Sequence, residues 1–538
     1  MSTRLATGGR LLNRGRQVSF SFNGQRLTGF EGDTLASALL ANDQMMVGRS
    51  FKYHRPRGIV ASGVEEPNAL MNMGVGARAE PNQRATTTEL FDGLVAASQN
   101  HWPSLEFDIG AVNTYLSRFL PAGFYYKMFL YPRAFWKHVY EPFIRQSAGL
   151  GRAPDAETSD ADTYEHFHAT VDVFVVGGGV AGLQAALSAG RAGARVMVME
   201  QTAHWGGRAP VDGGTIDGMA PGAWVAKVVA ELAAMENVKM RLRCMGAGVY
   251  DHGYVLAYER VADHAPGAKG PRHRLWRIRA RRIVSAGGAI ERPLSFAGND
   301  IPGVMLAGAL RAYLVDYAVS PGDRVVVVTN NDDAYRTALA VKAAGLQVPV
   351  ILDARPQGGG VLAEQAKAAG IRVENGKAIA KVKGGKRVTG VAICAQAGAK
   401  VYVSGPAARD YLDEAAFSRR GIAVDAGGAF LLPPRPDGSV CRWIAARYLR
   451  ALSQAAPSVP AIAAAGLSGQ VGFGVAMGLI AAVKRSDRPR LLALLLLIPI
   501  LALAMLTNQE IFNVYLVWAD EQFQLTFFGT TLPTTWMV

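Results

Sequence analysis

From Val18 the chain alternates apolar and polar residues, VSFSFNGQRLTGFEG, on both sides of Asn23-Gly24. Successive strand side chains face opposite ways, and Asn-Gly favours tight hairpin turns, so this stretch predicts a β-hairpin. The period then changes. DTLASALLAND spaces its apolar residues as one helix face does, with Asp33 placed as N-cap. The residues before the hairpin, 1–16, carry Arg4, Arg10, Arg14 and Arg16 and read as a flexible basic arm. No apolar run follows them, so no signal peptide is expected.

Two strands followed by a helix suggest a β-grasp-like module over 17–100. Residues 101–148 are dense in rings, among them Trp102, Phe107, Tyr115, Tyr131, Phe135, Trp136 and Phe143. They read as a connector that packs against neighbouring domains, or as a subunit interface, where such residues are enriched. Polar residues 149–166 follow as a linker, so 101–168 form one connecting segment.

VDVFVVGGGVAGLQAALSAGRAGARVMVME, residues 171–200, combines a buried-type strand, a GxGxxG turn, a helix, a second strand and a terminal acid. Gly177 permits the tight turn, Gly179 lets backbone approach a pyrophosphate, and Gly182 allows close helix–strand packing. The helix N-terminus offers free N–H groups and partial positive charge. Glu200 is placed to bond the adenosine ribose. WGGRAP follows, where Gly206 and Gly207 supply a further backbone approach and Arg208 a phosphate or carboxylate partner. These features, with Ala286, Gly287 and Gly288 in RRIVSAGGAIERP, resemble the two-dinucleotide-domain flavoproteins; the resemblance has that later turn bring the chain back to the cofactor. The unit is expected over 169–320.

A second strand–loop–helix–strand unit, 321–400, ends its second strand near Asp353. Its loop, Asn330-Asn331-Asp332-Asp333, lacks the glycines and carries negative charge where a pyrophosphate would sit. It reads as a Rossmann-type unit without a standard dinucleotide site. Residues 401–483 stay unassigned, although AGLSGQVGFGVAMGLIAAV (465–483) is Gly-rich and apolar and resembles the last cofactor-contacting helix of those flavoproteins, or equally a membrane helix. Within 484–538, LLALLLLIPILALAML (491–506) is an uninterrupted apolar run, short of the ~20 residues that span a bilayer. It reads as a candidate membrane helix with its preceding basic residues in the cytoplasm, or as a core helix. NQEIFNVYLVWADEQFQLTFFGTTLPTTWMV resembles part of a proton-coupled peptide transporter, so the tail joins an unrelated reading frame or tethers an oxidoreductase to the membrane.

Composition narrows this little. The 538 residues are 50% hydrophobic and 19% charged, with a net charge of +14 that suits an anionic ligand, partner or surface. Cys244, Cys394 and Cys441 form no CxxC pair, which argues against a disulfide framework or a metal site and for the cytoplasm. GRSFKYHRPRG, residues 48–58, interleaves Arg49, Lys52, Arg55 and Arg57 with Phe51 and Tyr53. It reads as cofactor-phosphate or subunit contact, or as a paired basic face with Glu65 and Glu66 nearby; nucleic acid is not expected. No acid–base pair stands out as catalytic.

The run GDTLASALLANDQMMVGRSFKYHRPRGIVASGVEEPNALMNMG is similar to the α subunit of heterotetrameric sarcosine oxidase, as are PVDGGTIDG, GVYDHGYVLAYER and TNNDDAYRTA. The resemblance covers about 15–399. It implies a ferredoxin-like β-grasp module, then a two-part FAD/NAD(P)-binding Rossmann-type domain, an α/β with α+β class overall. A counterpart of the family's C-terminal folate-binding domain is not expected in residues 400–538. The implied activity is oxidative demethylation of sarcosine to glycine. The fingerprint is implied to hold NAD, with FAD as the alternative, lined by Gly177, Gly179, Val180, Ala181, Gly182, Glu200, Gln201, Gly207 and Val249. FAD and amine oxidation are implied on a partner β subunit, FMN between the subunits, and smaller subunits beside them. Residues 17–100 contain no cysteine, so the module is expected to lack the [2Fe–2S] cluster. An electron-transferring subunit of an amine or opine dehydrogenase, or a non-catalytic NAD-binding scaffold, remain as alternatives.

Overall fold

The computed structural model describes residues 3–117, 131–147 and 162–395, with isolated pieces at 120, 154, 159–160, 401–403, 423–425, 526–527 and 530–531. The chain divides into residues 1–431 and 432–538, and the layered fold lies in the first of these units. The apolar run 491–506 and the transporter-like stretch around it lie outside the described residues, apart from two short strand pieces. Among the described residues no helix is long and apolar enough to cross a membrane.

β1 (Asn13–Phe22) and β2 (Gln25–Glu31) form the expected hairpin, closing where Phe22 faces Gln25. Asn23 and Gly24 both have positive φ, 51° and 80°, the conformation the tightest hairpin turn needs at both positions. The cap of α1 (Leu35–Ala41) is Thr34 rather than Asp33: Thr34 and Ser37 exchange side-chain bonds to each other's backbone N–H. Asp33 is occupied otherwise, accepting from Phe30 N–H, from Ser37 and from Arg4. Short strands β3 (Gly48–Arg49) and β4 (Pro56–Arg57) pair with each other. β5 (Leu70–Met73), β6 (Glu80–Arg84) and β7 (Leu94–Ala97) complete a five-stranded sheet ordered β2-β1-β7-β5-β6. Phe20, Leu35, Leu39, Leu40 and Met71 fill its core, which continues into Ala309, Tyr313 and Tyr317 of a later helix. The first residues are held, not free: Arg4 lies 2.7 Å from Asp33 and Arg10 lies 2.8 Å from Asp316.

The aromatic connector continues into α2 (Glu141–Ser147). The reading that its rings pack inward does not hold for Trp102, Phe107, Tyr115, Tyr131 and Phe143, which are 68% exposed or more.

β8 (Tyr164–Val176) starts seven residues before the expected strand, because its first half pairs with the start of a later strand. α3 (Val180–Arg191), β9 (Val196–Met199), the one-turn α4 (Ala209–Asp212), α5 (Pro221–Ala233) and β10 (Val238–Arg241) follow. β11 (Cys244–Tyr250), β12 (Tyr254–Arg260) and β13 (His273–Ser285) make an antiparallel meander, and β13 returns parallel to β8. Leu183, Leu187, Trp224 and Leu232 cover one face of the parallel strands, while Val255, Ala257, Trp276 and Ile278 of the meander join Phe174 and Met197 on the other. Strands buried on both faces need no alternation, which is why VFVV, residues 173–176, reads as a continuous apolar run.

α6 (Ala307–Tyr317) links this layer to the second Rossmann-like unit, where β14 (Val327–Thr329), α7 (Asp333–Ala343), β15 (Ile351–Asp353), α8 (Gly360–Ala368) and β16 (Val373–Asn375) build a parallel sheet. The hairpin of β17 (Lys377–Gly384) and β18 (Val388–Ala395) ends the fold.

Candidate functional site

β8 runs out at Val176 and the chain enters α3 through three glycines. Gly177 has φ +104°, and a Cβ on it would strike the Ala286 carbonyl. A Cβ on Gly182 would run into the Gly177 carbonyl. These two glycines are therefore fixed by packing, as the spacing predicts. Gly179 differs: nothing lies within 4 Å of where its Cβ would stand. It opens α3 without a side-chain cap, so the N–H groups of Val180, Ala181 and Gly182 have no intrahelical acceptor. Open space at an uncapped, partly positive helix end is the geometry a pyrophosphate takes.

Glu200 follows β9 and is buried. Its Oε2 accepts from Gly178 N–H at 2.8 Å and its Oε1 from Thr202 N–H at 2.9 Å. Gly178 is the residue that sequence reasoning missed: a Cβ there would enter the Trp205 ring, and the run of three glycines was its signal. Gln201 stands next to Glu200, exposed, with its carbonyl accepting from Arg260.

Gly206 N–H donates to the Gly178 carbonyl at 2.8 Å, and a Cβ on Gly207 would stand 3.1 Å from the Gly179 Cα. WGGRAP thus lies against the glycine turn. Its Arg208 turns away, donating to Asp212 at 2.9 Å and to the Gly308 carbonyl at 3.1 Å. Ala286 N–H donates to the Val176 carbonyl at 2.8 Å, which sets Ala286 and Gly287 beside the turn. Val249 is not brought there: it faces Val255 across β11 and β12 and is largely exposed.

The basic stretch 48–58 is committed to the protein itself. Buried Arg49 donates to the carbonyls of Leu105, His54 and Glu106 and lies 3.7 Å from Asp108. Arg57 and Arg55 lie 2.5 Å and 3.6 Å from Asp300. Lys52 lies over the Tyr53 ring at 4.9 Å. The expectation of phosphate or subunit contact is corrected for Arg49 and Arg57, whose guanidinium groups already have protein acceptors. Glu66 does not pair with them either; its carboxylate accepts from the N–H groups of Val60, Ala61, Asn68 and Ala69 at 2.6–3.0 Å. Burial pushes the Glu66 carboxyl upward and those four bonds pull it down.

In the second Rossmann-like unit Asp353 is buried and holds Tyr335 at 2.8 Å and Arg355 at 2.7 Å, while Arg355 also reaches Asp332 at 2.7 Å. Its carboxylate serves that ion pair rather than an open ribose site.

A family profile described as a 2Fe-2S iron-sulfur cluster binding domain matches residues 15–101, and one described as FAD dependent oxidoreductase matches 172–254. A WbqC-like protein family profile matches 363–426. The sarcosine oxidase alpha subunit of Rhizobium meliloti (strain 1021) is 49% identical over 385 residues, 71% of this chain and 38% of that protein. Through that stretch the chain is similar to the sarcosine oxidase alpha subunit. The same subunit of Corynebacterium sp. (strain U-96) is 37% identical over 384 residues, 70% of this chain and 34% of that protein. This chain therefore spans well under half the length of these relatives. One subunit of the opine oxidase of Agrobacterium tumefaciens (strain Ach5) is 30% identical over 189 residues, 34% of this chain and 36% of that protein.

The profiles correct the expected cofactors. NAD at the fingerprint gives way to FAD, since the profile over 172–254 is that of FAD dependent oxidoreductases. The expectation of FMN and FAD shared with or held by a partner has no support in these matches. The expectation of a module lacking a [2Fe–2S] cluster is likewise overturned by the match over 15–101. That stretch contains no cysteine, so its residues do not supply the thiolate ligands such a cluster takes. The glycine turn, the open helix end and Glu200 do fit a dinucleotide.

Proposed function

We propose that the described part of this chain is the FAD-binding, alpha-subunit-like component of an amine-oxidising flavoenzyme of the sarcosine oxidase type. The observation that carries a dinucleotide site is the turn itself, with Gly179 facing open space at an uncapped helix end and Glu200 anchored beside it; the profile over 172–254 supports FAD as its occupant. In this reading Val180, Ala181 and Gly182 N–H hold the pyrophosphate. Gly207 brings a second stretch of backbone near it. Glu200 and Gln201 meet the adenosine ribose. Bound FAD would supply the two-electron acceptor for electrons taken from the amine. The groups that bind and deprotonate the amine are assigned to a partner subunit, in keeping with relatives that are themselves named as subunits.

The test is to purify the full chain, denature it and identify the released nucleotide by absorbance and mass. FAD is expected, and a chain that releases none would remove the assignment. Co-expression with a candidate partner should then give sarcosine-dependent peroxide. The match to the opine oxidase subunit supports a second reading with an opine as donor, and substituting that donor in the same assay separates the two.

A further inference from the structure

Arg311 lies in α6, 2% exposed, far from the glycine turn in sequence. All five of its N–H donors are taken. Nε donates to Asp212 Oδ1 at 3.1 Å, and Nη2 donates to Asp212 Oδ1 and Asp333 Oδ2, both at 2.7 Å. Nη1 donates to the Asp333 carbonyl at 2.9 Å and to Thr337 Oγ1 at 3.3 Å. Its two carboxylates belong to different layers. Asp212 ends α4, the single turn that begins at the Gly206-Gly207 approach to the fingerprint. Asp333 begins α7 of the second Rossmann-like unit, whose own loop lacks glycines. Arg208 and Arg336 reinforce the first of them, donating to the Asp212 carboxylate at 2.9 Å and to its carbonyl at 3.2 Å.

We propose that Arg311 is a positioning residue for the dinucleotide: it clamps loop 205–213 between the fingerprint and the second Rossmann-like unit, so that the unit without a fingerprint sets the shape of the site that has one. The loop is one short helical turn flanked by glycines with positive φ, Gly206, Gly207, Gly213 and Gly214. Such a segment has little stiffness of its own, and a buried guanidinium with a fixed fork is well suited to hold it. Removing the cation leaves Asp212 and Asp333 facing each other without their shared partner, which pushes the loop outward, away from Gly178 and Gly179.

This inference rests on the reading that the fingerprint holds FAD, so wild-type full-length chain is titrated with FAD first. Arg311→Met is then expected to raise the FAD dissociation constant roughly tenfold or more, the order that coupling through packed networks reaches. Hydrogen exchange should rise in 205–213 while 18–22 and 171–176 stay protected. Arg311→Lys keeps the charge but loses the fork and should fall between. If Arg311→Met does not fold, Asp212→Asn, at a partly exposed position, carries the same test. Unchanged FAD affinity in these variants, or exchange that rises evenly over the chain, overturns the proposal alone. Wild-type chain that takes up no FAD overturns it together with the functional reading.

Discussion

Glu200 and Gly178 are joined by a hydrogen bond of 2.8 Å from the glycine N–H to the carboxylate. It ties the end of β9 to the turn that follows β8. The other carboxylate oxygen holds Thr202 N–H, so Glu200 shapes the site before any ribose reaches it. Glu200→Gln puts an amide N–H₂ against one of these two donors. A buried donor left without an acceptor costs about 1–3 kcal/mol. The variant should unfold earlier in denaturant and release less FAD per mole, measured by absorbance after denaturation.

Gly179 and Gly182 should separate folding from binding. Gly182→Ala drives a methyl into the Gly177 carbonyl and forces α3 off the sheet, an overpacking cost of about 1–3 kcal/mol. Both the melting temperature and the bound FAD should fall. Gly179→Ala meets no protein atom, so its melting temperature without cofactor should stay near wild type while FAD content drops. Equal behaviour of the two variants would contradict the division of roles argued from their surroundings.

Glu66 organises the loop between β4 and β5 through four backbone N–H groups. Glu66→Gln keeps the shape but leaves two donors facing an N–H₂ group, with an expected loss of about 1–3 kcal/mol in the unfolding free energy. Glu65→Gln next to it, only partly buried, should change stability by less than about 0.5 kcal/mol. Denaturant midpoints for the two variants decide the matter.

Burial pushes the pKa of His101, His204 and His264 below 6.5. The unfolded chain therefore takes up protons that the folded chain refuses. Their contribution to stability is complete above pH 6.5 and is lost as the pH falls below it. Melting temperature should decline between about pH 7 and about pH 5.5. His101 Nδ1 is buried without a partner, so His101→Asn should make that decline shallower, which melting curves at the two pH values will show.

The hairpin at Asn23-Gly24 and the glycine turn were legible because each is set by a few adjacent residues. Turn sterics act within four residues, and a strand buried on both faces announces itself as an apolar run. The N-cap was misplaced by one position because Asp33 and Thr34 are both good caps, and the choice fell to a distant residue: Arg4 takes the Asp33 carboxylate at 2.7 Å. The connector's rings were read partly as core because apolar character is visible in sequence, whereas what covers it is not. Arg311 gave only a weak signal, a single arginine among apolar residues in AGALRAYLVDY.

A candidate dinucleotide site was readable along the chain because Gly177, Gly179, Gly182 and Glu200 act through the local path of one strand–turn–helix–strand unit. What the arginines do follows from folding alone. Arg57 meets Asp300 across 243 residues and Arg311 meets Asp212 across 99, and a charge seeks whichever acceptor folding brings near, with no local rule to name it. The basic stretch that looked made for phosphate is for that reason largely taken up in holding the fold, while the backbone of a neutral glycine turn is left open to the anion.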